Sequence, residues 1–145
     1  MLDLDEQSLN DRFKSTALSY VDGAGQTVTL SATQRLLQNQ PKINLDETKP
    51  WVRFTISPGD SEQDTLELNP AYKQLGTAYL QVFAPKGTGM GAARQIRDKF
   101  AAAFRGWTSP DGYTSVDRIG YTTVDQDAYT QINVTVSWES NRKSN

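Results

Sequence analysis

Three stretches of this chain carry residue types and spacings that could do chemistry. Gly87-Thr88-Gly89-Met90-Gly91-Ala92 has the spacing G-x-G-x-x-A, between an apolar extended segment that closes at Pro85 and an amphipathic helix. In that setting, backbone N–H groups at a helix start can cradle a phosphate. Asp60-Ser61-Glu62-Gln63-Asp64 spaces three carboxylates at positions one, three and five of a calcium loop. Arg94, Arg97, Lys99 and Arg105 give the helix after the glycine turn a basic side, suited to phosphates or to carboxylates of a neighbouring subunit.

Each stretch also has a plainer reading. The residues after the helix carry hairpin punctuation and no second βαβ unit, so the glycines read as the unusual dihedrals of a tight strand-to-helix turn. No Gly-Lys-Ser/Thr follows at Walker spacing. A nucleotide-binding protein using the Gly87–Gly91 turn stands as the alternative of a different class. In the carboxylate stretch, Thr65 replaces the turn glycine of a calcium loop and Ala71 the closing glutamate, which leaves a solvated hairpin tip. The chain has no histidine and no cysteine, so the commonest general acid/base, thiolate metal sites and disulfides are excluded. No serine has a histidine to activate it. The reading is therefore not an enzyme, with no catalytic residue, no cofactor and no metal.

The elements that position these residues follow from periodicity. Asp5 to about Val21 reads as a first helix, with Leu9, Phe13, Ala17 and Tyr20 on one side, stopped by Asp22-Gly23-Ala24-Gly25. Gln26 to Gln40 has no legible period, and Pro41 to Pro50 reads as a surface connection. Trp51 to Ser57 alternates, with Val52, Phe54 and Ile56 on one face. Pro58 to Gln63 reads as a loop, and Asp64 to Leu68 as a returning strand. Ala78 to Ala84 is apolar enough on both faces for an interior strand. Gly91 to Arg105 presents Ala93, Ile96, Phe100, Ala103 and Phe104 on one stripe, ending at Gly106. Ser109-Pro110-Asp111-Gly112 is a turn, and Ile119 to Val124 and Tyr129 to Trp138 are strands. One βα unit is too few for a doubly wound sheet. The expected fold class is α+β: an antiparallel or mixed sheet of about four to five strands with two main helices packed on one face, as a single domain over 1–145 with a frayed tail at 138–145.

The segments Pro50-Trp51-Val52-Arg53-Phe54, Gly76-Thr77-Ala78-Tyr79-Leu80-Gln81-Val82-Phe83-Ala84-Pro85-Lys86-Gly87-Thr88-Gly89, Ala93-Arg94 through Phe104-Arg105, and Tyr129 to Trp138 resemble the tail terminator (tail completion) proteins of long-tailed bacteriophages. The likeness runs from about Pro50 onward and includes the leading helix at Leu9 to Tyr20; Val21 to Lys49 depart from it. It implies a structural virion subunit, assembled in the host cytoplasm, that forms a homo-hexameric ring on the head-proximal end of the tail tube. Such a ring stops tube polymerisation and offers a docking surface to the neck. Another neck or head–tail connector ring is the alternative station. The implied partners are further copies of the chain, the major tail tube protein and a neck or head completion protein. Genomic DNA would pass through the lumen without specific binding, which suits a net charge of −2 with both signs interspersed. The acidic N-terminus, Met1-Leu2-Asp3-Leu4-Asp5-Glu6, lacks a hydrophobic segment, so no membrane is expected. The candidate subunit or tube contacts are Ser57, Asp60 and Glu62 on the expected hairpin loop, Lys86, Thr88 and Met90 on the glycine turn, and Arg94 and Arg97 on the helix.

Overall fold

The computed structural model describes residues 2–38, 40–42, 44–63, 71–85, 91–125 and 129–143. Along the chain run α1 (Leu2–Ser15), β1 (Ser19–Val21), β2 (Thr27–Thr29), a 3₁₀ turn (Ala32–Gln34), β3 (Arg35–Leu37), β4 (Trp51–Gln63), β5 (Ala71–Pro85), α2 (Gly91–Phe104), β6 (Thr114–Asp125) and β7 (Tyr129–Lys143). β1 and β2 form a small antiparallel hairpin of their own. The main sheet has the order β3-β4-β5-β7-β6, and only the β3–β4 pair is parallel. The fold is thus α+β with a mixed five-stranded sheet.

Alternation sets the core. Val52, Phe54 and Ile56 of β4, Ala78, Leu80, Val82 and Ala84 of β5, and Ile132, Val134, Val136 and Trp138 of β7 fall on one face because their registers align, as in Phe54↔Leu80 and Leu80↔Val134. All are buried in one cluster with Leu9 and Phe13 of α1 and Ala93, Ile96, Phe100 and Phe104 of α2. Phe54 stacks on Phe13 with ring centroids 4.8 Å apart and meets Phe100 and Phe104 at 5.9 and 5.8 Å. On the opposite face, Trp51 stacks on Phe83 at 4.0 Å, and Leu36 of β3 joins them in a smaller cluster.

Two arginines fasten helix ends. The Arg35 guanidinium donates to the Thr16 carbonyl at 2.6 Å and to that of Phe13, and lies 4.8 Å from the Phe13 ring centre. These are carbonyls at the C-terminus of α1, which have no partner within the helix. Burial pulls the Arg35 pKa below its ordinary value. Arg12 donates from Nε and Nη2 to the Ala103 carbonyl in the last turn of α2, at 3.0 and 2.6 Å. Both contacts place a cation at the negative end of a helix.

The first helix is shorter than its pattern implies: it stops at Ser15, and Tyr20 is buried on β1. Thr16 Oγ1 donates back to the Arg12 carbonyl at 2.6 Å, and the Leu30 N–H donates to the Leu18 carbonyl at 2.8 Å, so residues 18–21 pair with the hairpin instead of winding on. Asp22 to Gly25 is the tip of that hairpin. Pro58 to Gln63 is not a loop either; it belongs to β4, which pairs with β5 as far as Gln63↔Tyr72. Likewise β7 runs to Lys143 where a frayed end from 138 is expected, because Leu75 to Ala71 pair with Glu139 to Lys143. The ends of the three strands form one arm, clipped by Lys73–Glu139 at 3.3 Å. A bulge between Pro58 and Ser61 accommodates Gly59, whose carbonyl accepts from Gln74 Nε2 at 2.7 Å. The strand expected over Asp64 to Leu68 lies outside the described residues.

Gly76 and Trp138 are register partners, and a Cβ at 76 would overlap the indole ring. Gly76→Ala should therefore cost roughly 1–3 kcal/mol in urea unfolding. Gly120→Ala, on the edge strand with open space around it, should cost far less. Arg35→Met removes the side-chain donor from the Thr16 and Phe13 carbonyls, leaving the latter only the Thr16 N–H, and should cost roughly 1–3 kcal/mol in the same assay, with Arg35→Lys recovering only part because an ammonium lacks the two-pronged geometry.

Candidate assembly interface

The outer face of the sheet, away from Phe54, reads across the strands in rows: Arg53–Gln81–Asn133–Thr122, Thr55–Tyr79–Thr135–Gly120, and Ser57–Thr77–Ser137–Arg118. The centre of these three rows is amide and hydroxyl, with Arg53 on β4 and Arg118 on β6 at their borders, and the Lys73–Glu139 ion pair stands further along the same face. The polar groups bond among themselves: Gln131 Nε2 donates to Asn133 Oδ1 at 2.6 Å, and the Thr77 hydroxyl bonds the Tyr79 hydroxyl at 3.1 Å. One end of the face is covered by the Trp51–Phe83–Tyr129 ring cluster, with Lys42 Nζ 4.8 Å from the Trp51 ring centre.

Among the described residues, the sequence candidates divide between β4 and α2. Ser57 is exposed in the strand part of the arm, and Asp60 and Glu62 occupy β4 positions instead of a loop tip. Lys86, Thr88 and Met90 lie outside the described residues. Arg94 is exposed on α2. Arg97 is engaged within its own chain: its Nε and Nη2 both donate to Asp98 Oδ1 at 2.9 Å, and the guanidinium sits 4.8 Å from the Tyr121 ring centre. Arg105 donates to the Tyr121 hydroxyl at 3.1 Å. Tyr121 of β6, itself 44% exposed, is thus gripped by Arg97 of α2 and by Arg105 just past its end, a constellation absent from the sequence reading because the residues lie apart in the chain.

Beside the first turn of α2 is an open cleft of about 400 Å³, lined by Tyr20, Asp22, Val28, Lys49, Pro50 and Gln95 among others. Gln95 Oε1 is occupied by the Val21 N–H at 2.8 Å. Asp22 Oδ1 accepts the N–H groups of Ala24 and Gln26, both at 2.9 Å. Burial, then the nearby carboxylates of Asp22 and Asp46, raise the Tyr20 pKa, so its phenol stays neutral. Hydrogen bonds from the Thr48 hydroxyl and N–H hold the exposed Asp46 carboxyl below its usual range. The polar groups of the cleft mainly fasten the hairpin and its neighbouring loop. Among the described residues, no three acidic, histidine or cysteine side chains gather as a metal site would require.

A small α+β fold with an outer sheet face of mainly amide and hydroxyl groups and a long strand arm has the build of an assembly subunit. The comparisons agree: a family model for phage tail terminator proteins matches residues 20–138. The chain belongs to the phage tail terminator family and has a structural role in a bacteriophage tail. Among the solved structures that match, one whose title states no function shares the fold over 100% of this chain and 99% of its own, with a TM-score of 0.66 at 15% identity. No curated protein sequence matches. No helix among the described residues is long and apolar enough to cross a membrane.

Arg94→Glu should leave urea stability within about 0.5 kcal/mol, as expected of an exposed side chain with no partner among the described residues. Arg97→Glu should cost about 0.5–1 kcal/mol more, since it removes the cation over Tyr121 and sets a like charge beside Asp98. Equal midpoints for the two variants would show that the Tyr121 grip contributes nothing.

Proposed function

We propose that this chain is a tail terminator: copies assemble into a hexameric ring on the head-proximal end of the finished tail tube, stop its polymerisation and present the docking surface for the neck. The family match over residues 20–138 carries this reading. The partners are then other copies of the chain, the major tail tube protein and a neck or head completion protein, with DNA passing through the lumen. Two properties support it. The net charge of −2 and the amide and hydroxyl centre of the outer sheet face would give a passing polyanion neither strong attraction nor strong repulsion. Among the described residues, the outer edge of β4 from Thr55 to Gln63 has no strand partner and offers its backbone to a neighbour.

The test is to add the purified chain to polymerising tube protein from the same virion and measure tube length by negative-stain microscopy. Short tubes with a ring at one end are expected, and growth unaffected by excess chain would contradict the function. Charge reversal at Arg94 should weaken capping if the helix meets an acidic neighbour; unchanged capping would assign that face to solvent.

A further inference from the structure

The sheet has two incomplete edges. On β4, the short strand β3 pairs only with Val52 to Phe54, and among the described residues no strand covers the outer side from Thr55 to Gln63. On β6, the Trp107–Ser109 segment closes the start, through the Val116 N–H to the Trp107 carbonyl at 2.9 Å and the Ser109 N–H to the Thr114 carbonyl at 2.8 Å. From Asp117 to Asp125, no strand among the described residues pairs with the outer side. Long open edges of this kind are templates for another strand unless something covers them.

The strand directions decide what can cover them. β4, β5, β7 and β6 are antiparallel in succession, so β6 runs opposite to β4. A copy rotated about an axis to which the strands are tilted therefore brings its β4 antiparallel to β6 and continues the sheet without a break. That relation is head-to-tail and closes into a ring, whereas β6 against β6 gives only a two-fold pair. The open runs are offset, because Ser57 is level with Arg118 and Trp51 with Val124 across the sheet. Matching them while keeping outer faces aligned takes a shift of about four residues, roughly 14 Å at strand rise, in the manner of the stagger of a closed barrel. The shift sets Ser57 beside Thr122 and brings Arg118 against the Asp60–Glu62 stretch, in an open run that holds two acids and no base. Asp117 is the extra residue of a bulge next to Arg118. Pro58 opens the β4 bulge, where a missing N–H is tolerated inside a sheet.

We propose that copies of this chain join by pairing the outer edge of β6, Arg118–Val124, with the outer edge of β4, from Thr55 into the arm, of the next copy, so that one sheet continues around the ring. The proposal rests on the ring reading above and names the contact that makes it.

The absence of cysteine makes the test clean. Ser57→Cys and Thr122→Cys, both exposed positions on the outer face, are purified separately, then examined alone and mixed under mild oxidation, with mass in solution measured in parallel. The expected result is disulfide-linked dimers in the mixture and none in either variant alone, with a double variant linking into a ladder that ends at the ring. Dimers within one variant alone, or associated species without the mixed link, would overturn the edge pairing and leave the ring reading standing. A chain that stays monomeric at every concentration, does not cross-link and does not cap tubes would overturn both.

Discussion

Phe54 sits where the sheet and both helices meet: it stacks on Phe13 of α1 and touches Phe100 and Phe104 of α2 while its backbone pairs with Leu80. Burying four rings in one cluster stabilises by several kcal/mol, on the order of 1.5–3 per side chain. The consequence is directional. With the helices drawn to the Phe54 side, the amide and hydroxyl rows of the outer face are left to solvent or to a partner. The arginine caps follow from the same packing, since Arg35 can reach the end of α1 only because Phe13 is held against Phe54.

The same constraint explains what could be read from the residues. The interior strand at Ala78–Ala84, the stripe of α2 and the alternation of Tyr129–Trp138 were legible because each buries a full face, which leaves a strict period in the sequence. The end of α1 was not. Tyr20 falls at helical spacing after Phe13, yet it is buried from a strand, and the signal that separates the two is the non-local pairing of Leu18 with Leu30. The arm was hidden for a related reason: Pro58 to Gln63 is polar and carries Pro-Gly, so it looks like a turn, and only its long-range pairing with Tyr72–Gly76 makes it a strand. Of the candidate interface residues, Arg94 lies on an exposed helix side, which its spacing implies, whereas the partnership of Arg97 and Arg105 with Tyr121 is visible only in the fold.

The functional account draws these together. A lumen for a polyanion favours walls without strong charge, and a ring favours edges left unpaired until a neighbour supplies the strand. In the proposed ring, the amide and hydroxyl rows of the outer face would meet the first requirement and the two open borders of the sheet the second.

The central claim is that this chain terminates the tail tube. The most direct measurement is cryo-electron microscopy of tails isolated before head joining, from virions carrying this chain. A ring of this subunit closing one end of the headless tube is the predicted image. Headless tails that end in bare tube protein, with the subunit found only on filled heads, would contradict the account and move the chain to the neck.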